Sequence, residues 1–245
     1  MPEYPDFPDG FNFNLPYLPP GSRKVTAEEA EKYLLEKAAG QEGKALAGAL
    51  YQLIYLYRSS GRLMEAMELT RRIEDLAEGP EEKAHCYLTM GQIAEKMDDF
   101  AAAVDYYRQA FRLEPVGTEL WYFVNNNLGY SLNQLGRFVE AECFCRAAIE
   151  INLERYNAYK NLGIALEGQD KPAEAAALYI QAVKLNAGDR RAFIHLLNLL
   201  ERNPQLLRET PSLVKDLEDC GEAVTLARRM IDKLLEEYNN RSNAP

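Results

Sequence analysis

Histidine, cysteine and basic charge are scarce in this chain, and long apolar runs are missing. Its 245 residues hold two histidines, four cysteines and 28 Lys or Arg against 38 Asp or Glu, a formal charge of −10. Binding to a phosphate backbone relies on lysine and arginine displacing counterions, and an anionic membrane surface selects for the same residues. Neither nucleic acid nor membrane is an expected partner. No run of about 18 uncharged apolar residues could span a bilayer, and no basic segment leads into an apolar core at the N-terminus, so the expected location is cytoplasmic. Cys86, Cys143, Cys145 and Cys220 fall in helical patterns without the C-x-x-C pair of a structural zinc site. They read as buried free thiols, and no metal is expected.

Catalytic motifs are missing too. His85 and His195 lie far apart, and neither adjoins a nucleophile motif. There is no phosphate-cradling G-x-x-x-x-G-K and no H-E-x-x-H, while the acidic residues are spread over solvated helix faces. The expectation is a protein with no enzymatic activity and no cofactor, since activity has to be argued from a site.

What the chain has is repetition. With 47% hydrophobic residues it can bury a sizeable core, and residues 84–117, 122–155 and 156–189 align without gaps. Gly91, Gly129 and Gly163 form one column, preceded by Met90, Leu128 and Leu162; Ala103, Ala141 and Ala175 form a second, and Ala110, Ala148 and Ala182 a third. Each unit holds two stretches of 3.6-residue apolar periodicity around a short polar turn, which reads as an antiparallel helix pair. Glycine in mid-helix costs about 1 kcal/mol against alanine, so its recurrence points to close approach of the partner helix. Phe100, Phe138, Tyr107 and Tyr179 are suited to the wider gaps. A single pair cannot cover its own apolar face, so the pairs must stack.

These units resemble the tetratricopeptide repeat family. A weaker copy at 47–80 keeps Leu53, Tyr57, Gly61 and Ala66 in register but has Ile54 in the glycine column. Three extra residues separate it from the next copy, and four, Thr118 to Trp121, separate the second from the third, enough to lengthen the following helix by about one turn. The expected fold is all-α: a right-handed helix-turn-helix solenoid with helical caps and an extended, proline- and aromatic-rich N-terminal arm. The expected divisions are an arm at 1–25, a capping helix at 26–43 opened by a Thr26/Glu29 capping box, four repeats within 44–189, and a degenerate repeat with capping helices at 190–240. The last of these helices should run from about Glu222 to Tyr238.

The resemblance implies a concave face built from the first helix of each pair, able to hold a protein or peptide partner. The stripe facing it comprises Tyr51, Gln52 and Tyr55; His85, Leu88, Thr89 and Gln92; Phe123, Asn126, Asn127 and Tyr130; Asn157, Lys160, Asn161 and Ile164; then Arg191, His195 and Asn198. Asparagine offers a donor and an acceptor to an extended backbone, and tyrosine offers flat apolar area. Asn161 and Arg191 match part of the set with which some family members grip a C-terminal carboxylate; Asn126, Tyr130 and His195 depart from it. Tyr55, Asn127, Lys160, Asn161 and Arg191 are the expected contact residues, and as members of an open face Asn127 and Asn161 should be replaceable at under about 0.5 kcal/mol.

The arm differs from everything that follows it. Residues 4–21 contain five aromatics, Tyr4, Phe7, Phe11, Phe13 and Tyr17, five prolines and no positive charge. Such proline density excludes helix and favours extended geometry, reaching about 60 Å at about 3.1 Å per residue. Its aromatics are too apolar for a solvated tail. Three readings follow: docking on its own solenoid, in the groove or near Trp121-Tyr122-Phe123; exchange with a neighbouring copy to form a homo-oligomer; or recruitment of another protein through P-x-x-P matches. The expected function is a non-enzymatic adaptor holding a partner segment in its groove. The alternative is a self-associating structural protein whose arm fills its own or a neighbour's groove.

Overall fold

A computed structural model describes residues 26–223 and residue 236. The N-terminal arm and nearly all of the expected last helix lie outside the described residues. Among those residues are twelve helices. The first, α1, spans Ala27–Ala39; Thr26 caps it, accepting from the Glu29 N–H at 3.2 Å while Glu29 accepts from the Thr26 N–H at 3.0 Å. Four antiparallel pairs follow: α2 (Gly43–Ser59) with α3 (Leu63–Leu76), α4 (Pro80–Lys96) with α5 (Phe100–Arg112), α6 (Thr118–Gln134) with α7 (Phe138–Ile151), and α8 (Tyr156–Glu167) with α9 (Pro172–Leu185). Beyond them lie α10 (Arg190–Arg202), the short α11 (Leu206–Glu209) and α12 (Pro211–Ala223).

All four pairs turn in the same way. Gly61, Asp98, Gly136 and Asp170 have φ between 58° and 79°, the left-handed conformation that glycine adopts without strain and aspartate tolerates. The next N–H then bonds five residues back: Arg62 to Tyr57, Asp99 to Ala94, Arg137 to Leu132 and Lys171 to Leu166, at 2.8–3.0 Å. This bond satisfies a terminal carbonyl of the first helix and fixes the direction of the second.

The glycine column has a reason that packing makes concrete. A Cβ on Gly91 would lie 2.3 Å from Cε1 of Tyr107, and one on Gly163 would lie 2.5 Å from the same atom of Tyr179. In these two units the space is filled by a tyrosine ring of the facing helix, not by its backbone. At Gly129 the facing residue is the smaller Cys145, whose Sγ would be 2.4 Å away, and there the backbone does come close, with Ala141 O at 3.4 Å. Tyr107, Tyr179 and all six alanines of the two alanine columns are fully buried.

The extra residues between copies lengthen the following helices, so that α4 and α6 each have 17 residues against 12 for α8. Glu81, in the added turn of α4, accepts from the Val116 and Gly117 N–H groups at 2.9 and 3.2 Å and so anchors the start of α6. Cys86, Cys145 and Cys220 are buried; Cys143 differs from the expectation in being exposed on the outer side of α7. Burial pushes the Cys86 and Cys220 thiols up to about 11. No described helix is long and apolar enough to cross a membrane.

Candidate partner-binding face

Contacts between pairs define an inside. α6 packs against both α4 and α8, whereas the second helices α5, α7 and α9 are not in comparable contact with one another. Closer spacing of the first helices makes theirs the inner, concave layer.

The expected stripe lies along these helices, but its members differ in burial. Tyr51 and Tyr55 on α2, His85 and Gln92 on α4, Asn127 and Tyr130 on α6, and His195 on α10 are half-buried; Arg191 is exposed. Asn126, Lys160 and Asn161 are buried, with Asn161 at 2% exposure. The expectation that Asn161 lies on an open face is corrected by its bonding. Its Nδ2 donates to Asn126 Oδ1 at 3.0 Å, and Asn126 Nδ2 donates in turn to Asn127 Oδ1 at 3.0 Å. The two buried amides tie α8 to α6 and orient Asn127 above them.

The flanks of the stripe are held as well. Tyr51 OH lies 3.8 Å from Cys86 Sγ, Tyr130 packs edge-on against Phe100 with ring centroids 6.1 Å apart, and His195 stacks on Tyr179 at 5.4 Å. Arg191 donates to Tyr156 OH at 3.2 Å and to both oxygens of Asp189, whose carboxyl it holds far below the ordinary range. Burial lowers the pKa of both His85 and His195, which favours neutral imidazoles near pH 7.

Four groups that the stripe omitted extend it by one turn: Arg58, Glu95, Asn133 and Glu167, each three residues beyond Tyr55, Gln92, Tyr130 and Ile164. Each makes a bond to the next repeat. Arg58 donates to Gln92 Oε1 at 3.1 Å, Ser131 Oγ donates to Glu95 Oε1 at 2.8 Å, Asn133 Nδ2 donates to Asn161 O at 2.8 Å, and Arg202 pairs with Glu167. Burial pushes the Glu95 carboxyl up to about 7, against the opposing pull of the Ser131 and Tyr107 hydroxyls and of Arg58. The only signal for this column in the sequence is its spacing, because a cation, an amide and two carboxylates share no single chemistry.

The Trp121-Tyr122-Phe123 cluster, one of the seats considered for the arm, is itself partly covered. Tyr122 is buried at 1% exposure, while Trp121 stacks on Phe111 at 4.8 Å and Arg155 lies 4.9 Å above the Phe123 ring. It stands at the start of α6, on the edge opposite the turns within the pairs.

A family model described as the tetratricopeptide repeat matches residues 84–116. The human protein named Tetratricopeptide repeat protein 7B is 27% identical over 175 residues, covering 66% of this chain and 20% of its own length, so the chain spans about a fifth of that relative. Among solved structures, BtubC from P. vanneervenii superposes with a TM-score of 0.63 at 16% identity, covering 86% of this chain and 93% of its own. YrrB, described as carrying an unusual peptide-binding site, superposes with a TM-score of 0.53 at 19% identity, covering 81% and 93%. At such identities these two are likenesses of fold.

Proposed function

We propose, from the premise that the chain is a tetratricopeptide-repeat protein, that it is a protein-interaction scaffold whose inner face holds an extended segment of another protein. Proteins of this kind are generally non-enzymatic interaction modules, and YrrB has a peptide-binding site on the same fold. One observation carries the finer reading: half-buried aromatic, imidazole and amide side chains line the same face of α2, α4 and α6, and α10 adds the exposed guanidinium of Arg191. Tyr55 and Tyr130 supply flat apolar area, Asn127 a backbone-type hydrogen bond, and Arg191, whose charge Asp189 already balances, its remaining N–H donors for a carbonyl or carboxylate of the partner. Asn126, Lys160 and Asn161 act beneath this surface, holding it in place.

The test is selection from a display library of unstructured protein segments, followed by titration of enriched segments into the wild type and a Tyr55→Ser, Asn127→Ala, Arg191→Ala variant. A control variant, Glu150→Ala, alters the exposed outer side of α7. Affinity should fall at least tenfold in the first variant, about 1.4 kcal/mol, and stay unchanged in the second. Equal binding by all three proteins would place the contact elsewhere. The possible homo-oligomer formed through the arm concerns residues outside those described.

A further inference from the structure

We propose that the N-terminal segment packs, within the same molecule, along the edge formed by the turns inside each helix pair, with Phe11, Phe13 and Tyr17 over Met97, Leu135 and Val139. This is separate from the inner-face reading and does not rest on it.

The edge carries apolar side chains that its turns do not need. Met97 and Leu135 stand immediately before the left-handed residue of their turns and are 41% and 40% exposed. The same position in the first and last turns holds Ser60 and Gln169, and those turns close with the same backbone bond. Val139, at 67% exposure, and Met64, at 63%, lie at the second helical positions of α7 and α3, where α5 and α9 have Ala101 and Ala173. Exposed apolar side chains thus recur on three neighbouring turns of this edge; the opposite edge has its own in Leu76, Val116 and Leu153, so the point where the chain enters the fold decides between the two.

The chain outside the described residues joins the fold at this edge. Glu31, one turn into α1, accepts from Tyr57 OH and from the Arg62 guanidinium, both at 2.7 Å, and Arg62 belongs to the α2–α3 turn. Thr26, the first described residue and five before Glu31, therefore stands at the end of α1 that adjoins the first turn of the row. Packed helices lie about 8–10 Å apart, so the α6–α7 turn is roughly 20 Å farther along. Tyr17 and Phe11 lie nine and fifteen residues before Thr26, giving reaches of about 28 Å and about 46 Å at 3.1 Å per residue. The row lies within that span. Trp121, by contrast, stands on the opposite edge, across the body of the solenoid from the point of attachment.

The experiment uses the full chain with a photo-reactive benzoylphenylalanine in place of Phe13, irradiated over a hundredfold range of protein concentration and mapped by mass spectrometry. The expected products are intramolecular links to Met97, Leu135 or Val139, in a yield independent of concentration. Links concentrated on Tyr55 or Asn127 would overturn the proposal by placing the segment in the inner face. Linked dimers growing with concentration would overturn it in favour of a second copy, and links scattered without preference would overturn it in favour of a segment with no seat. A thermal double-mutant cycle gives a second readout. Phe11→Ser, Phe13→Ser, Tyr17→Ser together, and Met97→Ser, Leu135→Ser, Val139→Ser together, should each lower Tm by about 2–4 °C. Combined, they should cost no more than either set, because each removes the same contact; additive losses, or none, would refute it. Either result leaves the inner-face reading standing.

Discussion

At the scale of single residues, the sign of a glycine substitution separates packing from propensity. Gly91→Ala gains about 1 kcal/mol of helix propensity but forces a methyl against the Tyr107 ring, and overpacking of this kind costs about 1–3 kcal/mol; the variant should be less stable than the wild type in urea unfolding. Gly48 lies in mid-α2, where an added Cβ would meet nothing within 4 Å, so Gly48→Ala should be more stable by about 1 kcal/mol. Stabilisation by both would show that the tyrosine ring yields freely. Glu95 sets a pH dependence of known sign. Its folded pKa of about 7 lies above the unfolded carboxyl value of about 4.3, so the folded state binds the extra proton, and the stability this contributes is complete below about pH 4 and lost as pH rises to 7. His85 and His195, whose folded values are lowered, slope the other way, but they do so equally in a Glu95→Gln variant. The difference in unfolding free energy between variant and wild type should therefore grow in the variant's favour from pH 5 to pH 8. A difference that stays flat would mean that the carboxyl is ionised throughout.

At the scale of elements, the bond between α6 and α8 has a cost that exposure-based reasoning underrates. Asn161→Ala leaves Asn126 Oδ1 buried without its 3.0 Å donor, and an unsatisfied buried acceptor costs about 1–3 kcal/mol. Urea midpoints should move accordingly; a shift below about 0.5 kcal/mol would indicate that water takes the place of the amide. This residue marks where the sequence stops being legible. The helices could be read because three copies repeat the same glycine and alanine columns, and the turns because their residues are polar and short. Which stripe residues stay open could not be read, since it depends on side chains of the next repeat closing over them: Asn161 meets Asn126 across 35 positions, and Ser131 meets Glu95 across 36. The Arg58, Glu95, Asn133, Glu167 column escaped for a related reason. Each of its members is matched to a different neighbour, so no one residue type fills the column. Even the glycine column was only half legible, for its spacing announced close packing while the group that fills the space, a ring in two units and a thiol in the third, appears only in three dimensions.

At the scale of the whole molecule, contacts run between neighbours along the stack, and the side-chain bonds that join repeats follow the same rule. Arg58 to Gln92, Glu81 to Gly117, Glu119 to Arg155, Tyr156 to Arg191 and Glu167 to Arg202 all span between 34 and 36 positions. A body joined only to its neighbours has a stability that is the sum of unit and interface contributions, so opening should begin where a unit has a partner on one side alone. Among the described residues α1 packs chiefly on α2, and α12 on α9 and α11, whereas α6 is enclosed by α4, α5, α7 and α8. Native-state hydrogen exchange should accordingly find the slowest amides in α5 to α8, with opening free energies falling toward α1 at one end and α10 to α12 at the other. The pattern matters for the inner face. Tyr130 and Asn127 lie on α6, within the stretch expected to be most protected, and Arg191 on α10, outside it, so a bound segment that engages all three should slow exchange most in α10, where ordering remains to be gained. Equal protection along the whole stack would mean that the interfaces are strong enough to make it one cooperative unit, and a partner would then bind a surface already rigid from end to end.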